Sequence, residues 1–173
     1  MSNKPSSIIQ EIGIRRFILY DRCIGCYTCE EVCRFLHDDE ATFIRLYEIE
    51  SGLRKPISCF HCTKAPCVTV CPTKALIFDK DGAVITRTMR CIGCTSCVIA
   101  CPFGIPELLP IGHVVKCDLC SKLRSQELEP GCIATCPTNA IVFGTPENIT
   151  KTVRKLTLTK LVEAFKEGGR AIR

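Results

Sequence analysis

Sixteen of the 173 residues are cysteine, and they fall into four groups of four with none left over. The first group is Cys23, Cys26, Cys29 and Cys33, spaced C-x2-C-x2-C-x3-C. The second is Cys59, Cys62, Cys67 and Cys71, spaced C-x2-C-x4-C-x3-C. The third, Cys91, Cys94, Cys97 and Cys101, repeats the first spacing; the fourth, Cys117, Cys120, Cys132 and Cys136, reads C-x2-C-x11-C-x3-C. A chain built this way must fold around whatever its sulfurs hold. Hydrophobic residues are 46% of the sequence, but setting the cysteines aside leaves roughly 37%. A bound group is therefore expected to replace part of the core.

The spacing selects the chemistry. Structural zinc takes four ligands, commonly as two C-x2-C pairs. A third cysteine at x2 and a fourth at x3 overfill that site. Disulfides need an oxidising compartment, and the polar stretch Met1–Gln10 carries no apolar export segment, so a cytoplasmic location is expected. No cysteine follows Cys29-x3-Cys33 or Cys67-x3-Cys71 at x2, so the radical-SAM spacing is absent. Iron–sulfur clusters remain. Three cysteines at x2 intervals can converge on three corners of one cube. The fourth, after x3, lies about one helical turn further, roughly 6 Å along the axis, and is carried toward a second cube. That exchanged fourth ligand is the two-cluster ferredoxin arrangement. Pro72, Pro102 and Pro137 follow the last cysteine of three groups, and Arg34 follows the first. Gly25 and Gly93 sit between ligands, where backbone N–H groups can approach sulfur.

The chain repeats itself. Arg22-Cys-Ile-Gly-Cys-x-x-Cys-x-x-x-Cys33 returns 68 residues on as Arg90–Cys101, and Cys67-x-x-x-Cys-Pro-Thr-x-Ala-x-x-Phe78 returns 65 residues on as Cys132–Phe143. The fold class expected is α+β: two pseudo-symmetric ferredoxin-like modules, one inserted in the other. Residues 58–105 form the contiguous module and residues 15–57 with 106–146 the split one. Residues 1–14 are an N-terminal extension and 147–173 an amphipathic helix and tail. Exchange of fourth ligands within each module then gives four sets. Cys23, Cys26 and Cys29 take Cys136; Cys117, Cys120 and Cys132 take Cys33. Cys59, Cys62 and Cys67 take Cys101; Cys91, Cys94 and Cys97 take Cys71. The alternative keeps each group of four to itself.

Charge and pattern narrow the function. The formal charge of +5 counts every cysteine as neutral; four 4Fe–4S cores would bring the holoprotein near −3. The basic residues then balance buried anions, and with no Lys/Arg run longer than two, nucleic acid is not expected as a partner. No apolar run approaches the ~18 residues of a membrane span. Strands are expected at 16–20 and 83–86, with hairpins pairing 76–78 with 83–86 and 42–48 with 53–57, the latter across Ser51-Gly52. Short helices should start after Cys29, Cys67, Cys97 and Cys132. Thr145-Pro146-Glu147 reads as the start of a long helix ending at Gly168-Gly169. Its Leu158, Leu161, Val162 and Phe165 share one face, for packing on its own domain or as a strap on another subunit.

Four stretches carry a resemblance to a known family. They are Ser58–Leu76, Arg90–Pro106, Val115–Cys120 and Pro130–Gly144. They look like the four-cluster ferredoxin-type electron-transfer subunits that accompany molybdenum and tungsten pterin oxidoreductases such as DMSO reductase and formate dehydrogenase. Similar subunits serve hydrogenases, CO dehydrogenases and tungsten aldehyde oxidoreductases. Ala65 and Lys74 depart from the residues common there, Pro and Gly. The resemblance implies four 4Fe–4S clusters, since every ligand position is Cys, and the same crosswise sets. It also implies partners: a catalytic tungsten- or molybdenum-pterin subunit, an aldehyde-oxidising one among them, and a further redox carrier or flavin subunit. A hydrogenase or CO dehydrogenase partner, or a free polyferredoxin, is the alternative. No P-loop, GxGxxG or nucleophile motif is visible, so the chain is expected to carry electrons by hopping and to catalyse nothing itself. His61 is read as a hydrogen-bonding or packing residue and Tyr27 and Phe103 as cluster shields; Lys64, Arg90, Lys116 and Lys122 are cations able to tune potentials, though for any single one an ordinary solvated charge is the better reading.

Overall fold

The computed structural model describes residues 13–37, 41–50 and 52–166. The described residues make an α+β fold of eight short strands in four two-stranded sheets, six α-helices, most of them one turn long, and one 3-10 turn at Thr88–Arg90. Elements this small cannot bury a core of their own, and sulfur fills the deficit. Cys67 and Cys97 are buried among Ala65, Leu76, Val84 and Val114. Cys29, Cys33 and Cys132 are buried with Ile44 and Ile141.

Strand β1 (Arg15–Ile18) pairs antiparallel with β8 (Ile141–Gly144), Phe17 opposite Val142. The first and last thirds of the chain therefore meet. Strands β2 (Ile44–Glu50) and β3 (Leu53–Ser58) form a bulged hairpin; the Ser51 of its turn lies outside the described residues. Strands β4 (Leu76–Phe78) and β5 (Val84–Thr86) form the second expected hairpin. In its turn the Asp79 carboxylate accepts the N–H groups of Asp81 at 2.9 Å and Ala83 at 2.8 Å, a side chain standing in for a ladder. A fourth pair, β6 (Glu107–Leu108) and β7 (Val114–Val115), is too short to leave a sequence signal.

Helices α1 (Thr28–Leu36), α2 (Pro66–Thr69), α3 (Ser96–Ala100) and α5 (Gly131–Ala134) are those expected near the cysteines. Each begins one residue before its cysteine, not after it, because the ligand occupies the first turn. Tyr27 and Thr95, both with positive φ, swing the chain into α1 and α3. Pro66 opens α2 with φ already suited to a helix. Between these lies α4 (Ser121–Arg124), a single turn with no periodic signal in the sequence. Helix α5 sits so close to α1 that a Cβ on Gly131 would meet Leu36 Cδ1 at 2.4 Å.

Helix α6 (Pro146–Lys166) starts as expected, the Thr145 hydroxyl accepting the Asn148 N–H at 3.4 Å. Its expected end at Gly168-Gly169 lies outside the described residues. Its packing face differs from the expected one. Ile149, Val153, Leu156 and Leu161 are half-buried, whereas Leu158, Val162 and Phe165 face solvent. The helix leans on β8 through its first turns, and farther along Lys160 meets Asp21 at 2.6 Å. No described helix is long and apolar enough to cross a membrane.

Candidate metal centres

The sixteen cysteines line four cavities, four to each. Cys23, Cys26, Cys29 and Cys136 face one. Cys33, Cys117, Cys120 and Cys132 face a second. Cys59, Cys62, Cys67 and Cys101 face a third. Cys71, Cys91, Cys94 and Cys97 face the fourth. In every case three sulfurs come from one sequence group and the fourth from another. The loops that bring three together hold left-handed residues at matching places, Gly25 with Gly93 and His61 with Leu119; Lys74 and Asn139 match likewise, three residues after Cys71 and Cys136.

The cavities adjoin in a row. Cys67 and Cys97 share one buried cluster, with Cys71 packed against it, linking the Cys91 and Cys59 cavities. Cys117 packs with Cys59, linking the Cys59 and Cys117 cavities. Cys132 and Cys33 pack with Cys29 and Cys136, linking the Cys117 and Cys23 cavities. Of the sixteen cysteines only Cys94 and Cys26 are exposed, and they belong to the two ends of the row.

The donor set suits an iron–sulfur cube. Backbone N–H groups point at sulfur, in two matching pairs, Ala75 to Cys71 at 3.2 Å with Ala140 to Cys136 at 3.3 Å, and His61 to Cys59 with Leu119 to Cys117 at 3.4 Å, and in two further contacts, Phe43 to Cys33 and Val114 to Cys91 at 3.3 Å. Burial, the leading cause, pushes the Cys29, Cys120 and Cys132 thiols up to about 12 and Cys67 up to about 11. Thiols this reluctant to ionise become ligands only when cationic metal sits among them. Three buried side-chain groups, Arg16 Nε, His61 Nε2 and the Thr86 hydroxyl, find no partner among the described residues.

His61 is fully buried, and its Nδ1 accepts the Val84 N–H at 3.0 Å, so its ring is a packed, hydrogen-bonded element. Burial first, and then the neighbouring Lys116 and Arg16 charges, lower its pKa and keep it neutral. Phe103 lines the Cys59 cavity and stacks on Phe60 at 4.4 Å; Tyr27 lines the Cys23 cavity beneath Arg54, 5.7 Å from the ring centroid. Of the cations singled out from sequence, Lys64, Arg90 and Lys122 are exposed and only Lys116 is buried. Sequence patterning makes Arg16 no more than a strand residue, yet it is buried with Nη1 3.5 Å from Cys117 Sγ. Strand periodicity carries no sign of such a contact.

A family model described as a 4Fe–4S dicluster domain matches residues 52–146, and one described as a 4Fe–4S binding domain matches residues 17–35. The chain belongs to the 4Fe–4S dicluster family. Its cofactors are four 4Fe–4S clusters. It is 40% identical over 139 residues to the thiosulfate reductase electron transfer subunit PhsB of Salmonella typhi, covering 71% of each chain. It is 35% identical over 153 residues to a subunit of the anaerobic dimethyl sulfoxide reductase of Escherichia coli (strain K12), covering 78% of this chain and 75% of that one. With the aliphatic sulfonate oxidoreductase polyferredoxin-like subunit of Pyrococcus furiosus it shares 39% identity over 135 residues, 73% of this chain and 75% of the other. As a member of this family the chain is an electron-transfer protein and not a catalytic subunit.

Proposed function

We propose that this chain relays electrons between a molybdenum- or tungsten-pterin catalytic subunit and a further redox carrier, through four clusters held by the four cysteine sets. The observation that carries this reading is the row of adjoining cavities with Cys94 at one end and Cys26 at the other. When bound, the clusters supply one-electron acceptors and donors at short spacing. The chain's own residues do the rest. Cysteines anchor each site, backbone N–H groups stabilise the sulfur charge, and Phe60 with Phe103 keeps water from the Cys59 set. Exposure at Cys26 and Cys94 leaves two exits to partners.

The ligand sets in this proposal are Cys23, Cys26, Cys29 and Cys136; Cys33, Cys117, Cys120 and Cys132; Cys59, Cys62, Cys67 and Cys101; and Cys71, Cys91, Cys94 and Cys97. The chain then consists of two ferredoxin-like modules, residues 58–105 inserted between 15–57 and 106–146. The β1–β8 pairing and the matching N–H to sulfur contacts support this. An aldehyde-oxidising partner is the finer version, and a cytoplasmic location fits reduced thiols. The relatives' printed names, reductases and a sulfonate oxidoreductase, support an oxidoreductase partner in general.

Anaerobic pull-down of the intact complex followed by metal analysis tests the reading. Molybdenum or tungsten in the captured complex is expected. Nickel would point to a hydrogenase or CO dehydrogenase, and a stable monomer that reduces reversibly would point to a free shuttle.

A further inference from the structure

We infer that Arg16 and Lys116 form a buried cationic bridge between the two central cysteine sets, and that their charge raises the reduction potentials of the two clusters held there. This rests on the four-cluster reading above. The Arg16 guanidinium spans the junction: Nη1 donates to Cys117 Sγ at 3.5 Å, and Nη2 donates to the Cys59 carbonyl at 3.0 Å. Lys116 reaches the same junction, donating to the Cys117 carbonyl at 2.8 Å and to the Val84 carbonyl. It also lines the cavity of the Cys59 set. Both side chains are buried, Arg16 at 8% and Lys116 at 4% relative exposure.

A buried cation is costly to keep without a counter-charge. Among the described residues neither cation pairs with a carboxylate. The anions facing them are the sulfurs themselves. A cube with four thiolates carries about −2 when oxidised and −3 when reduced. One electron passed across the junction takes the receiving site from about −2 to −3 and returns the donating site to −2, with no bond made or broken. A cation at fixed distance favours the more negative state of either neighbour, so both potentials rise.

The internal repeats show that this bridge is no general feature of the modules. Val84 stands at the place of Arg16, seven residues before its group, and Ser58 stands at the place of Lys116. Each cation occurs in one copy only, and the two meet where the copies meet. The end sets lack an equivalent among the described residues: Lys55, which donates to the Cys23 carbonyl at 2.7 Å, also bonds the Tyr20 carbonyl and remains partly hydrated.

The test is an EPR-monitored redox titration of the anaerobic, fully loaded holoprotein with Arg16→Gln, Lys116→Gln and the charge-keeping Arg16→Lys. Iron content is measured in parallel. Expected is a downward shift of two of the four midpoints in both Gln variants, at least tenfold in the one-electron reduction equilibrium, or ~59 mV. The other two midpoints stay in place, and Arg16→Lys restores most of the shift. Unmoved midpoints at full iron content would overturn the bridge, and so would an equal shift of all four. If a Gln variant fails to load, Arg16→Lys decides: loading with wild-type midpoints upholds the charge role, and failure to load refutes it. Wild-type protein lacking four clusters would instead refute the underlying reading.

Discussion

Arg124 meets Asp79 at 2.5 Å across 45 residues of chain, and its second nitrogen meets Asp81 in the same turn. The Arg124 side chain is 6% exposed, and its Nε also donates to the Leu119 carbonyl at 2.9 Å. One guanidinium thus ties the β4–β5 turn to the loop that carries Cys117 and Cys120.

Removing that tie leaves two carboxylates facing each other without a cation. Arg124→Ala is expected to destabilise the holoprotein by about 3 kcal/mol, the order found for breaking a buried pair. The partial exposure of Asp81 keeps the value at the low end. Guanidinium melts followed by the visible cluster absorbance measure it. A change below about 1 kcal/mol would show the pair to be as weak as a surface one.

Cys33→Ala is expected to remove or convert the cluster shared with Cys117, Cys120 and Cys132, although Cys33 is close in sequence to Cys29. EPR of the reduced variant reads which signal goes. Loss confined to the cluster of Cys23, Cys26 and Cys29 would show the exchanged sets to be wrong.

A Cβ on Gly93 would meet the Gly112 carbonyl oxygen at 2.4 Å, at a φ of +67°. Gly93→Ala combines that clash with left-handed strain of about 1–3 kcal/mol. The Cys91 set should lose its cluster first, seen as faster anaerobic bleaching under mild denaturant. Gly104 has a similar φ of +61° but open space around it, so Gly104→Ala carries the backbone strain without the clash and should bleach more slowly than Gly93→Ala.

Loading should strengthen as pH rises. The metal-free thiols of Cys29, Cys120 and Cys132 sit near 12, so at neutral pH they are protonated, and binding iron expels those protons. The metal-free state holds more protons than the loaded one, so lower pH favours it. Iron incorporation at equilibrium between about pH 6.5 and 8.5, under an iron and sulfide supply held fixed, should climb steadily. A flat profile would contradict protonated apo-thiols.

Deleting residues 147–173 should leave all four clusters in place, because no α6 residue lines a cysteine cavity. Sixteen irons per chain in the truncated protein is the expected result. Unchanged capture of a catalytic partner would, separately, rule out a strap role for Leu158, Val162 and Phe165.

Sequence legibility follows the reach of each interaction. The cysteine spacings and the two longer hairpins are readable because local chain geometry dictates them. The meeting of β1 with β8 is compatible with the repeats, from which residues near 17 and near 142 are expected to belong to one unit. Arg16, Arg124 and the outward turn of Leu158 are not readable. A buried guanidinium on sulfur or on a distant turn depends on where distant stretches of chain meet, and neither periodicity nor motif encodes that. Helix α6 misleads because its amphipathic pattern is weak and two apolar faces compete for one neighbour.

The exposure of Cys26 and Cys94 has a cost in air. An outlet open enough for an electron to leave is open enough for dioxygen to arrive, and thiolate sulfur with solvent access oxidises first. Corrosion of this protein should therefore begin at both tips and work inward, sparing the middle of the row until last.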